Sequence, residues 1–124
     1  MVLVDTSLWI DHLRSSNRHL VHLLKTNSVA MHPFIVGEIA CGSLVRRATV
    51  LGLLRALPQV PTAEEDEVLF FLERHRLAGK GIGYVDLHLL AAATMASLQL
   101  WTADKRLARI ASGLRLEYLS PGRP

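Results

Sequence analysis

One cysteine in 124 residues leaves nothing for it to pair with, so no intramolecular disulfide holds this chain together. Cys41 lies in an apolar stretch and reads as a small core residue, because no other feature points to a catalytic thiol. Aromatic residues are scarce, at 6 %. They are not interleaved with basic residues, which argues against an aromatic platform for stacked bases. Trp9, Phe34, Phe70 and Phe71 read instead as core or partner contacts. Long apolar runs are missing too: none reaches the roughly 18 residues of a membrane span. The N-terminus has no basic region followed by a long apolar run, so a signal peptide is not expected and a reducing cytoplasm is. There is no repeat and no low-complexity segment. Charge is nearly balanced, with a formal net charge of +3 and a pI near 9.5. That permits a polyanionic partner without demanding one.

Apolar residues are plentiful, at 50 % of the chain. This is enough for one domain with a real core, and too short for two. The expected domain covers 1–119, with 120–124 as a frayed tail. Val2 to Val4 form a short β-branched run, too short for a helix, and read as a buried strand. Thr6 or Ser7 can cap the helix that follows, with Leu8, Trp9 and Leu13 on one face. Leu20, Leu23 and Leu24 mark a second helix. Ser28 to His32 read as a strand, and Pro33 opens a helix to about Gly42. Arg46 to Leu57 is helical, and Gln59 to Val60 a very short strand. Thr62 begins T-A-E-E, a capping-box pattern whose acids suit the positive end of a helix. GKGIG lacks the continuation of a phosphate loop and reads as a turn. Tyr84 to Leu98 is a buried helix, Leu100 to Thr102 a strand, Asp104 to Ala111 a helix and Leu116 to Tyr118 a last strand. Strands alternating with helices predict an α/β fold, its parallel sheet covered on both faces.

Ligands in such folds gather at the carboxyl edge of the sheet. Asp5 follows the first strand directly. Glu38 lies near the start of an otherwise apolar helix after the second strand, where a carboxylate must be paired or bound. Asp86 opens the long helix. That helix rises about 18 Å over 12 residues and the next strand returns about 17 Å, so Asp104 comes back to the end where Asp86 began. Each acid also has a plain reading: Asp86 and Asp104 as helix caps, Asp5 as a turn residue, Glu38 as an arginine partner. Together, four carboxylates repel unless cations neutralise them, and hard oxygen donors favour Mg²⁺ or Mn²⁺. Such a cluster suits metal-assisted phosphodiester hydrolysis.

VDTSLWIDHL, VGEIACG, GYVDLHLLAAA and LWTADKRL, in that order and spacing, resemble the PIN-domain ribonucleases, in particular the VapC toxins of VapBC toxin–antitoxin modules. The resemblance covers Met1 to about Leu119. It implies a three-layer fold with a five-stranded parallel sheet in the order 3-2-1-4-5, and a Mg²⁺- or Mn²⁺-dependent endoribonuclease acting on tRNA or rRNA. Asp5, Glu38, Asp86 and Asp104 match the family's acidic, metal-holding positions. Thr6, Ser7 and Thr102 match hydroxyls that orient ligands or contact phosphate. A homodimer and a neutralising VapB antitoxin are implied as partners. Where some PIN domains carry a further acid, this chain has Lys105 and Arg106, a departure from the pattern of a complete second metal site.

Lys80, Lys105, Arg106 and Arg109 fit either RNA phosphate contacts or solvated surface charges. His19 and His22 share a helix face, but zinc would need more ligands nearby. His12, His32, His75 and His88 show no partner in the sequence. An aspartyl-nucleophile phosphohydrolase would want a second Asp where Ser7 stands. A non-toxin PIN ribonuclease in RNA processing and a catalytically inactive binding module are the remaining alternatives.

Overall fold

Val2–Val4 (β1) is buried at every residue. Successive strand residues point to opposite faces, so full burial means that both faces of the sheet are covered. In this structure, a computed structural model describing residues 1–121, β1 is the middle of three parallel strands. On one side lies Val29–Ala30 (β2), with Val2 opposite Val29. On the other lies Gln99–Trp101 (β3), with Val4 opposite Trp101. Single parallel bridges, Met31 to Gln59 and Leu100 to Glu117, extend the sheet outward at each edge.

The expected five strands are therefore three, among the described residues. The outer two are reduced to one bridge each, although the spatial order Gln59, β2, β1, β3, Glu117 follows the expected one. Proline explains the first: Gln59 stands between Pro58 and Pro61, neither of which can donate to a ladder. Only Pro58 O and Val60 N pair with Met31, both at 2.8 Å. At the other edge the chain leaves the last helix through Arg115, at φ 61°, and meets Pro121 soon after. Edges this short offer little to a foreign strand.

Seven helices connect these pieces among the described residues: α1 (Thr6–Arg14), α2 (Arg18–Lys25), α3 (Pro33–Ala40), α4 (Arg47–Ala56), α5 (Glu65–Arg74), α6 (Tyr84–Met95) and α7 (Lys105–Gly113). Asp5, not Thr6 or Ser7, caps α1, because its carboxylate already sits at the helix's free N–H groups. Asn17 caps α2, with Oδ1 accepting from Leu20 N at 2.9 Å. Glu64, not Thr62, is the N-cap of α5, and its N–H donates to Glu67 at 2.9 Å. The reciprocal box thus begins two residues later than expected. Cys41 is exposed rather than in the core, because it falls at the C-cap of α3, where the apolar face has ended.

The core gathers the β-strands, the inner faces of α1 to α3 and most of α6, whose residues Leu87 to Ala93 are all buried. Trp9 and Phe71 belong to it, whereas Phe70 is exposed. Ser120 is buried and Pro121 lies in a turn; residues 122–124 of the expected tail lie outside the described residues. No described helix is long and apolar enough to cross a membrane.

Candidate active site

β1 and β3 end side by side, and this brings the first acid to the last. Asp5 N donates to Trp101 O at 2.9 Å, carrying the ladder one residue past the strand. Asp5 is 6 % exposed, so its charge needs partners. It has three. Oδ1 accepts from Thr6 N at 2.8 Å, while Oδ2 accepts from Ser7 Oγ at 3.1 Å and Thr102 Oγ1 at 2.7 Å. Thr102 Oγ1 in turn accepts from Asp104 N at 3.0 Å, and Ser7 Oγ from Ala103 N at 3.4 Å. One hydroxyl therefore ties Asp5 to the start of α7.

Asp104 caps α7, its Oδ1 accepting from Arg106 N at 2.8 Å and Leu107 N at 3.0 Å. The plain reading of Asp104 as a helix cap is correct, and it leaves Oδ2 to do something else. Glu38, exposed on α3, accepts from Thr6 Oγ1 at 2.6 Å. The three hydroxyl residues Thr6, Ser7 and Thr102 thus link three of the four acids.

Asp86, in the first turn of α6, completes the set. Burial raises its carboxyl to about 6 from an ordinary 3.8, and the charges of Asp5, Asp104 and Glu38 push the same way, Asp5 most. A backbone hydrogen bond from Gly83 opposes them. Asp86 therefore lies within electrostatic reach of the other three acids. Four like charges also keep apart. No group of three or more His, Cys, Asp or Glu side chains among the described residues is gathered into a ready metal cage. The donor set is entirely oxygen, which fits a hard divalent cation and not zinc.

The other candidates divide. Lys80, Arg106 and Arg109 line one cavity. Lys105 does not; it faces a different cleft beside Thr102, Glu117 and Tyr118. His19 and His22 stack at 5.9 Å, and His19 Nε2 meets Tyr118 Oη at 2.6 Å, so the shared face serves packing.

The sequence did not reveal a buried pair of histidines. His32 is fully buried and caps α3, its Nδ1 accepting from Phe34 N at 3.0 Å. Its ring lies 6.4 Å from that of His88, which is packed edge-on against Phe34 and Tyr84. Burial first, and His88 next, lower His32 to about 4, so both its burial and its cap role require the neutral ring. His32 Nε2 and His88 Nδ1 have no partner among the described residues. The signal was the His–Pro pair at the head of α3, where a side-chain acceptor is wanted.

With this geometry in view, comparison with known proteins identifies the class: residues 2–113 match the PIN domain model, and the chain belongs to that family. Within it, the chain is 47 % identical over 108 residues to Ribonuclease VapC32 of Mycobacterium tuberculosis, in both strain CDC 1551 / Oshkosh and strain ATCC 25618 / H37Rv. The match covers 86 % of this chain and 87 % of that protein, so the kinship is with the VapC ribonucleases. The fold is also that of VapBC-1 from nontypeable Haemophilus influenzae (TM-score 0.70, 16 % identity, covering 96 % and 97 % of the two chains). FitAcB from Neisseria gonorrhoeae is similar as well, at TM-score 0.63 and 22 % identity over 90 % and 94 % of the chains.

Proposed function

We propose that this chain is a Mg²⁺- or Mn²⁺-dependent endoribonuclease, the VapC toxin of a toxin–antitoxin pair, acting in the cytoplasm on tRNA or rRNA. The observation that carries this reading is the buried Asp5, held by Ser7 and Thr102 at the carboxyl edge and coupled through charge to Asp86. Kinship with the VapC ribonucleases supports it. Likeness to VapBC-1 and FitAcB supports a VapB-type antitoxin as the protein partner, and a homodimer is the expected assembly.

Asp5, Glu38, Asp86 and Asp104 would hold the ion. A divalent cation there supplies positive charge against a phosphodiester and makes water a stronger acid. The chain's own work is to orient. Thr6 holds Glu38, while Ser7 and Thr102 hold Asp5, so the carboxylates meet the scissile phosphate in a fixed arrangement. One carboxylate takes the proton of the attacking water, and in-line attack leaves a 5′-phosphate and a 3′-hydroxyl.

The test is cleavage of total tRNA and rRNA by the purified chain with Mg²⁺ or Mn²⁺, with EDTA, and with folded Asp5→Asn and Asp86→Asn variants. Discrete fragments that disappear with EDTA and with both variants are expected. A folded protein that neither cuts RNA nor binds Mn²⁺ would be the inactive binding module instead. If the adjoining gene encodes no antitoxin and expression does not arrest growth, the reading becomes a PIN ribonuclease of RNA processing.

A further inference from the structure

Three of the basic residues meet in an open cavity of about 440 Å³. One wall is α7, which presents Arg106, Arg109 and Ile110. The other is the chain between α5 and α6, which presents His75, Leu77 and Lys80. Among the described residues, no acidic one lines the cavity. A cleft lined by one sign of charge concentrates its field and attracts the opposite charge.

The cations are placed by the local backbone. Arg106 and Arg109 share a helix face at i, i+3. Lys80 sits between two glycines in the left-handed region, Gly79 at φ 76° and Gly81 at φ 83°. A Cβ on Gly81 would lie 2.9 Å from Arg106 Nη1 and 3.1 Å from its Cδ, so the arginine rests against bare backbone. The floor is apolar, formed by Leu77 and Ile110 with Leu114. A cationic rim over an apolar floor matches one nucleotide, with phosphate on the rim and the sugar and base on the floor. An acidic peptide would use the rim alone.

α7 links the cavity to the acids, since Asp104 caps it and Arg106 and Arg109 line the cavity. Arg106 N donates to Asp104 Oδ1, so α7 begins at the site and runs along the cavity. Arg109 lies about 7.5 Å further along the axis at 1.5 Å per residue.

We propose that this cavity is a nucleotide subsite for the RNA, holding a phosphate and its nucleoside beside the cleaved bond. The inference rests on the ribonuclease reading above. It assigns Lys80, Arg106 and Arg109 one shared ligand and leaves Lys105 out.

The test uses the intact chain and a Lys80→Gln/Arg109→Gln double variant, both residues being exposed, with circular dichroism and melting to verify the fold. Binding of a fluorescent twelve-residue oligouridylate is followed in EDTA from 50 to 200 mM salt, and tRNA cleavage is followed with Mn²⁺. The expected result is at least a tenfold loss of affinity, a salt slope shallower by about 0.7, and a raised KM with little change in kcat. A single abasic position in the oligonucleotide should weaken binding to the wild type more than to the double variant. Unchanged affinity, slope and KM, with cleavage intact, would overturn the subsite and leave the ribonuclease standing. Absence of both binding and cleavage in the wild type would remove the ribonuclease reading and the subsite with it. A variant that keeps RNA affinity but loses a polyglutamate peptide would make the cavity an acidic-peptide site, overturning the proposal.

Discussion

Asp86 stands at about 6 because burial and its acidic neighbours disfavour its charge. Between about 4 and 6 the folded protein keeps a proton that the unfolded chain has released, so this group's contribution to stability falls as pH rises through that window. Asp86→Asn should therefore raise the melting temperature at pH 8 in EDTA, by about 3–5 °C for about 1 kcal/mol after solvent screening. The gain should vanish below about pH 4, and calorimetry at the two pH values checks both. The same proton competes with a cation, so stabilisation of the wild type by Mn²⁺ should weaken as pH falls through about 6. Thr102 offers a second test at this scale. Thr102→Val removes the donor to Asp5 Oδ2 and the acceptor of Asp104 N together. A loss of about 1–3 kcal/mol in urea unfolding is expected, with cleavage reduced at least tenfold. Wild-type cleavage by a folded Thr102→Val would mean that Asp5 needs no such anchor.

The turn between α5 and α6 separates two roles of glycine. Gly79 and Gly81 both adopt positive φ, so alanine at either should cost about 1 kcal/mol. Only Gly81 has Arg106 against it; nothing lies within 4 Å of a Cβ on Gly79. Gly81→Ala should displace the arginine and weaken oligouridylate binding, whereas Gly79→Ala should lower stability alone. Equal effects on RNA from both would separate Arg106 from the turn. At this scale the sequence was legible where an element carries its own signal. Pro33 at the first helical position, the apolar run of α6 and the Asp at the head of α7 each led to an element that is present. It was less legible where neighbouring residues compete for one task. Asp5, Thr6 and Ser7 can all cap α1, and tertiary packing decides among them: Glu38 of α3 takes the Thr6 hydroxyl, and Ser7 bridges Asp5 and the chain after β3.

For the whole molecule, β1 is the piece that everything else surrounds. Leu3 is fully buried between β2 and β3, so Leu3→Ala should cost about 3–5 kcal/mol and be read directly as a lower urea midpoint. Such a loss is a large fraction of a domain's total stability. Because the four acids come from four different elements, a cation that bridges them should stabilise the whole fold. Mn²⁺ at one hundred times its dissociation constant should add about 2.7 kcal/mol. No change in melting temperature up to millimolar Mn²⁺ would count against a shared ion.

The order of strands and helices along the chain and the buried first strand were determined by the sequence alone. Hydrophobic period, helix length and strand return are local quantities, and they add up along the chain. Tertiary structure decided what depends on neighbours distant in sequence. It set which hydroxyl serves which acid, shortened the edge strands to single bridges and brought His32 beside His88. It also gathered Lys80 with Arg106 and Arg109 while sending Lys105 elsewhere. No periodicity encodes these pairings, because each depends on where two separately folded segments come to rest against the same sheet.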